Sequence, residues 1–133
     1  MYLDRFRLDG RTAFVDARDV AAAAARVLGD PAAHAGRGYE LTGREALTYD
    51  EVAAILSRVL GRPVVYRHPG ALRFYRHMRR RGLPRAQVAV MVALYTTARL
   101  GLAAHLSPEL EQLLGRAPRT VEEFARDYAE AWR

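Results

Sequence analysis

Apolar residues recur at intervals of three and four along most of this chain, and polar or charged residues occupy the positions between them. This spacing puts the apolar side chains on one face of a helix, which a globular protein buries. Glycine or proline interrupts the pattern after most of the stretches, as is typical of helix ends. The pattern predicts helices over residues 17–28, 49–60, 71–81, 85–100, 109–114 and 121–132.

Residues suited to capping stand directly before three of these helices. Thr48 and Thr120 are each followed at the third position by glutamate, which is the spacing of a capping box. Asp16 precedes the first helix, and Asp19 follows it at the same spacing. These two aspartates also have the chemistry of an acid–base pair, but capping explains both more simply. We therefore predict structural capping roles for all four residues.

Short apolar segments at 13–15, 38–41 and 64–66 predict strands, each bounded by glycine, proline or charge. They alternate with helices in the first half of the chain, which favours parallel βα units. We therefore expect an α/β fold that is mostly helical with a few short strands. So few strands form a thin sheet, which normally extends a larger one.

The helix predicted over 85–100 contains thirteen consecutive uncharged residues, 86–98. A membrane-spanning helix needs about 20 apolar residues, so this run is too short to cross a bilayer. Two alternatives remain. The helix forms the buried centre of the helical part, or one of its faces lines a pocket or a partner surface.

Length and composition exclude several kinds of site and of chemistry. The 133 residues suffice for one domain spanning 1–133, and the absence of cysteine excludes disulfides, thiolate metal sites and a cysteine nucleophile. All 21 basic residues are arginine, which excludes chemistry that needs a lysine amine. The N-terminal residues lack an apolar run of signal-peptide length. We expect a cytoplasmic protein that does not associate with a membrane.

The net charge of +6 and a pI near 10.3 raise the question of nucleic-acid binding. Six arginines fall within residues 73–85, which could form either a phosphate-contacting face or a solvated helix end. No helix-turn-helix, zinc or RNA-binding signature accompanies them. We therefore predict a solvated face and no nucleic-acid partner.

A search for catalytic patterns yields no catalytic residue and no metal site. The four histidines, including His68, are widely separated and lack ligand spacing. Tyr75 and Tyr95 are each followed four residues later by an arginine, which only imitates the Tyr-x-x-x-Lys spacing of reductases. The only Gly-x-Gly leads into a predicted strand rather than out of one, so it lacks the arrangement of a dinucleotide fingerprint.

Five blocks in a fixed order give the chain a family resemblance. They are FVDARDVA (14–21), GRGYELTG (36–43), ALTYDEVA (46–53), LGRPVVY (60–66) and LGRAPRTVEEF (114–124). Each block alone is mostly turn chemistry and apolar spacing. Together they resemble the second half of NmrA-like proteins, which are atypical short-chain dehydrogenase/reductase relatives that bind NAD(P) through an N-terminal Rossmann half.

The resemblance implies a substrate-side lobe of an NAD(P)H-dependent oxidoreductase of the quinone or azo type, with the dinucleotide-binding half absent. By the same resemblance, the loop with Asp16 and Arg18 lies at the cleft edge. Phe74, Met78, Met91 and Tyr95 line the substrate pocket, although plain core packing explains each of these four as well. The resemblance leaves two explanations open, a truncated or split relative, or a lobe reused as a binding, regulatory or oligomerising module.

In either case we expect no cofactor bound by this chain alone and no catalysis by it alone. NAD(P) is implied only for the intact family. A small-molecule ligand is compatible with both explanations. The unpaired strand edges and the uncharged helix predict a macromolecular partner, either a second copy in a homodimer or a Rossmann half on another chain.

Overall fold

The computed structural model describes residues 10–67 and 70–132, and the mostly helical architecture predicted from the sequence is confirmed. A short helix, α2, follows the first. The sequence does not predict it, because a single helical turn is too brief to show a periodic pattern. The helices are α1 (Ala17–Gly29), α2 (Pro31–His34), α3 (Tyr49–Leu60), α4 (Ala71–Arg80), α5 (Arg85–Arg99), α6 (Glu109–Leu114) and α7 (Val121–Asp127), followed by a 3₁₀ turn (Ala129–Trp132).

Both predicted capping boxes are present. The Thr48 hydroxyl accepts from the N–H of Glu51 at 3.1 Å, and the Glu51 carboxylate accepts from the N–H of Thr48 at 2.8 Å. Thr120 and Glu123 make the same reciprocal pair at the start of α7. Asp16 caps α1 by accepting from the N–H of Arg18 at 2.8 Å. These local contacts satisfy N–H groups that have no partner within the helix.

The predicted parallel pairing of the strands is wrong for the described residues. The strands there are β1 (Thr12–Ala13) and β2 (Ala46–Leu47), and they pair antiparallel with Thr12 opposite Leu47. The expected strands at 38–41 and 64–66 do not form, because their backbone groups find other partners. The Glu109 carboxylate accepts from the N–H of Glu40, and the Ser57 hydroxyl accepts from the N–H of Val64 at 2.8 Å.

In the described residues, the most extensive helix packing joins α1 with α6, α3 with α7, and α4 with α5, and α2 also packs on α1. The central cluster is small and contains Ala23, Leu110 and Leu114, with Leu41 packed against it. Among the described residues, no helix combines the length and apolar character needed to cross a membrane.

Two glycines allow the segments around β1 to approach other parts of the backbone. A Cβ at Gly43 would lie 1.7 Å from the carbonyl oxygen of Phe14, and one at Gly10 would lie 1.8 Å from the carbonyl oxygen of Ala98. The N–H of Ala13 also donates to the carbonyl of Ala103 at 2.8 Å. β1 is therefore fixed between the loop before β2 and the C-terminal end of α5.

Of the two alternatives that the sequence leaves open for α5, the buried centre is wrong. Val88 is fully buried, but Val90 and Leu94 are 59% and 64% exposed. The reason is that α5 packs mainly against α4, which covers only one side of it. The other alternative, in which one face lines a pocket, describes the structure.

Candidate functional site

An apolar cavity of about 190 Å³ lies where α3, α4 and α5 meet. Tyr49 at the start of α3 and Tyr66 in the following loop form one part of its wall. Phe74 of α4 and Tyr95 of α5 form another. Val92, Thr96 and Arg99 of α5 also line it, together with Ala71.

The aromatic rings of this cavity are held in defined contacts. Tyr49 and Tyr66 stack with centroids 5.1 Å apart, and Phe14 packs its ring edgewise on Tyr49 at 5.6 Å. Phe74 and Tyr95 meet edge to face at 5.0 Å. Such ring pairs contribute about 0.5–1.5 kcal/mol beyond the burial of their area. The rings support one another and present apolar faces suited to a flat molecule.

The polar groups of the cavity are few. Burial raises the pKa of the Tyr49 phenol, and the charges of the Tyr95 and Tyr66 phenolates would raise it further. Tyr49 therefore stays protonated near neutral pH and can donate a hydrogen bond. The Thr96 hydroxyl already donates to the carbonyl of Val92 at 2.8 Å. Arg99 carries the only permanent charge among the described residues that line the cavity.

The structure brings together two of the predicted pocket residues, Phe74 and Tyr95. Met78 and Met91 are half-buried and lie outside the walls of this cavity. Sequence reasoning missed Tyr49 and Tyr66. Their only signal is an aromatic residue at the first helical position after a capping threonine, and another at the end of the 60–66 block.

The other two predicted residues, Asp16 and Arg18, lie at the N-terminus of α1. The Arg18 guanidinium donates to both carboxylate oxygens of Asp16, with the shortest contact at 2.6 Å, and also donates to Asp127 at 2.8 Å. Its guanidinium lies 5.2 Å from the centre of the Tyr128 ring. The hydrogen bonds from Arg18 lower the pKa of Asp16. These contacts give Arg18 and Asp16 structural partners within the chain.

Asp16 also borders a second, largely apolar groove that includes Phe14, Phe124 and Trp132. The described walls of this groove and of the aromatic cavity share no residue. The six predicted site residues therefore do not form one site. The loop with Asp16 and Arg18 belongs to a different surface from Phe74 and Tyr95.

Asp19 differs from its predicted role as a cap. Its carboxylate is fully buried and accepts from the Arg116 guanidinium at 2.6 Å, from the N–H of Arg119 at 2.6 Å, and from the Arg119 guanidinium. Burial alone would raise the pKa of Asp19, but these hydrogen bonds outweigh it and hold the pKa below its ordinary value. Asp19 thus ties the segment before α7 to α1.

Neither a metal nor the pyrophosphate of a dinucleotide fits the groups that the structure describes. In residues 10–67 and 70–132, no three His, Asp or Glu side chains come close enough to hold a metal ion, and His68 lies outside these residues. No glycine stands between β1 and α1 or between β2 and α3. The Asp16 carboxylate at the N-terminus of α1 would repel a phosphate there. That the chain alone binds no NAD(P) stays a prediction.

The two Tyr–Arg pairs have different surroundings. In the pair with Tyr75, the Arg79 guanidinium donates to the carbonyl of Leu83, so Arg79 holds the turn that follows α4. Tyr95 and Arg99 both line the aromatic cavity. Our expectation that no residue of this chain is catalytic on its own stays a prediction.

Residues 8–125 match the sequence model of the NmrA-like family. The chain is 36% identical over 124 residues to the NAD(P)H azoreductase of Xenophilus azovorans. It is 33% identical over 124 residues to agroclavine dehydrogenase of Claviceps fusiformis. Each match covers 93% of this chain and 43% of the relative, so the chain spans less than half the length of these curated relatives.

The solved structures agree with the sequence matches. The NADPH-dependent quinone oxidoreductase of Escherichia coli superposes with a TM-score of 0.78 at 30% identity, over 94% of this chain and 44% of that protein. The same enzyme complexed with NADPH superposes with a TM-score of 0.73 at 28% identity, over 94% of this chain and 43% of that one.

Proposed function

Because this chain belongs to the NmrA-like family, we propose that it supplies the substrate-binding part of an NAD(P)H-dependent oxidoreductase acting on flat aromatic small molecules of the quinone or azo type. The observation that carries this proposal is the cavity walled by Tyr49, Tyr66, Phe74 and Tyr95. Apolar clefts with a few polar groups are the usual form of small-molecule sites.

The chemistry of the cavity matches such a ligand. Its aromatic faces favour a planar ring system, which can stack or pack edgewise on them. The protonated Tyr49 phenol and the Arg99 guanidinium can donate to a carbonyl or azo acceptor on that ring. The residues described here bind and orient the ligand and exclude water from its faces. In this proposal the nicotinamide supplies the hydride and is held by a Rossmann half outside these residues.

A second candidate function is a non-catalytic binding or oligomerising module. The exposed apolar side chains of Val90 and Leu94 on α5 favour it, because a module needs a surface and no cofactor. Formation of a complex with a Rossmann half from a relative, and reduction of a quinone by NADPH only when both chains are present, would support the oxidoreductase. Failure to form any such complex would favour the module.

The direct test is binding of 1,4-naphthoquinone to the purified chain, measured by titration calorimetry. The sequence contains no cysteine or lysine side chain that a quinone would alkylate, so the signal reports reversible binding. We expect saturable binding that Phe74→Ala weakens about tenfold, because one ring of the wall is lost. Phe74→Leu keeps most of the volume and should weaken binding less.

Tyr39→Ala is the matched control, since Tyr39 contacts His34 and is absent from the walls of the cavity. It should leave the affinity for naphthoquinone unchanged. No saturable binding, or equal affinities for the wild type and folded Phe74→Ala, would contradict the proposed function.

A further inference from the structure

We propose that Arg99 makes the aromatic cavity selective for ligands that carry an anionic group, such as a carboxylate or sulfonate, over neutral or cationic ligands of the same shape. This inference rests on the proposed function, because it assigns a substrate class to the same cavity. It is carried by the position and contacts of Arg99 and by the distribution of charge around it.

Arg99 is the last residue of α5 and lies one helical turn beyond Tyr95 in the cavity wall. Within residues 10–67 and 70–132, its guanidinium makes no hydrogen bond and no ion pair. Some arginines of the chain are engaged, as Arg18 is by Asp16 and Arg58 is by Glu122, and Arg99 differs from the other unengaged ones by lining the cavity. A guanidinium without a carboxylate partner at the edge of an apolar cavity is available to a ligand.

The backbone that carries Arg99 is held in place. The N–H of Leu100 donates to the carbonyl of Thr96 at 3.0 Å at the end of α5. Gly10 passes so close that a Cβ there would lie 2.5 Å from the Cα of Arg99. A fixed backbone limits the volume that the side chain explores, which lowers the entropic cost of engaging a ligand.

No carboxylate on the neighbouring helices of the cavity neutralises this charge. Residues 52–108 contain ten arginines and neither aspartate nor glutamate, so α4 and α5 carry only positive charge. On α3, Glu51 is bonded to Arg11 and to the N–H of Thr48, and Asp50 also has a partner. The local field therefore favours an anion and disfavours a cation.

The geometry also avoids the cost of burying a charge. The aromatic part of such a ligand enters the apolar walls, while its anionic group stays at the exposed Arg99 side chain and keeps part of its hydration. A guanidinium bonds a carboxylate or sulfonate through two parallel N–H groups. Because Arg99 is exposed, the preference should fall as ionic strength rises.

The experiment must distinguish ligand selectivity from a purely structural role of Arg99. An arginine in the last turn of a helix also stabilises that helix by interacting with its C-terminal dipole. This role predicts a change in thermal stability when Arg99 is replaced and no change in ligand preference.

The test compares 2-naphthoate with 2-naphthamide, which have the same ring system and nearly the same shape but differ in charge. Binding to the full chain is measured by titration calorimetry at low and at high ionic strength. We expect 2-naphthoate to bind about tenfold more tightly at low ionic strength, as a charge-assisted hydrogen bond allows. High salt should reduce this advantage, while the affinity for 2-naphthamide stays constant.

Variants of Arg99 identify the group responsible. Arg99→Gln should abolish the preference by weakening the binding of 2-naphthoate more than that of 2-naphthamide, and Arg99→Lys should restore part of it. Arg85→Gln, at the other end of α5, is the matched control and should leave both affinities unchanged. Equal affinities in the wild type, or a preference that survives in Arg99→Gln, would overturn the assignment while leaving the proposed function intact. Binding of neither ligand would overturn both.

Discussion

At the scale of single residues, Asp19 shows how a local pattern can conceal a tertiary role. Its position three residues after Asp16 resembles that of a capping partner, yet its carboxylate is fully buried and holds Arg116 and Arg119. A buried carboxylate keeps its charge only when strong donors replace the lost water. The sequence spacing indicates an acidic residue at the start of the helix. It does not indicate the partners of that residue, because the two arginines lie about a hundred residues further along the chain.

We predict that Asp19→Asn lowers the free energy of unfolding by about 2–4 kcal/mol, because the amide cannot satisfy all three donors and leaves two guanidinium groups without their counterion. Urea denaturation followed by circular dichroism measures the loss. Asp30→Asn is the control, since Asp30 is an exposed cap of α2 and asparagine caps equally well.

The same substitution should change the response to acid. The folded chain lowers the pKa of Asp19, so its stabilising contribution is present above the ordinary pKa of about 4 and is lost as the pH falls below it. Asp19→Asn should therefore flatten the acid side of the stability profile. An unchanged profile, or a loss of stability no greater than in Asp30→Asn, would show that the carboxylate is not a stabilising anchor.

At the scale of secondary-structure elements, the sequence predicts the features that depend on residues close together in the chain. The helices capped by Thr48 and Thr120 start where their capping boxes predict, because each box closes within four residues. The strand at 64–66 fails because the Ser57 side chain takes the N–H of Val64, a contact that no local pattern shows. For the same reason, the sequence predicts only some of the aromatic residues in the cavity wall. Phe74 lies on a recognisable helix, whereas Tyr66 reaches the cavity from a loop.

We predict that Thr48→Ala and Thr120→Ala each lower the free energy of unfolding by about 0.5–2 kcal/mol, because an N–H group at the helix start loses its acceptor. Thermal denaturation measures the change. Thr97→Ala is the matched control, since the Thr97 hydroxyl only donates to the carbonyl of Leu94 within an exposed turn of α5. A variant that loses naphthoquinone binding at an unchanged melting temperature would make its threonine a ligand-binding residue instead.

At the scale of the whole molecule, the described part of the chain leaves large apolar side chains uncovered. The fully buried side chains are few, and Leu72, Val90 and Leu94 on α4 and α5 are each more than half exposed. An apolar surface of this kind is usually covered by a partner.

We predict that the purified chain forms a homodimer through α5, because a second copy is then the only available cover. Light scattering should give a mass that rises with concentration above 14.9 kDa. Leu94→Glu should keep the chain monomeric by placing a charge in the interface. Leu28→Glu, at a still more exposed position on α1, should not. A mass near 14.9 kDa at every concentration would exclude self-association and leave a separate Rossmann half as the proposed partner.

The pairing of the helices also has a consequence for the order in which the chain folds. α1 packs on α6 and α3 packs on α7, whereas α4 and α5 are neighbours in sequence. Closing a long loop costs entropy before any contact repays it, so pairs distant in sequence form late. α2 contacts α1 as soon as it is made, but the pairing of α1 with α6 must wait until residues 109–119 follow. Of the three pairs, the α4–α5 hairpin is the first that can assemble. We therefore expect the α4–α5 hairpin to fold first and the contacts of Asp19 with Arg116 and Arg119 to form last.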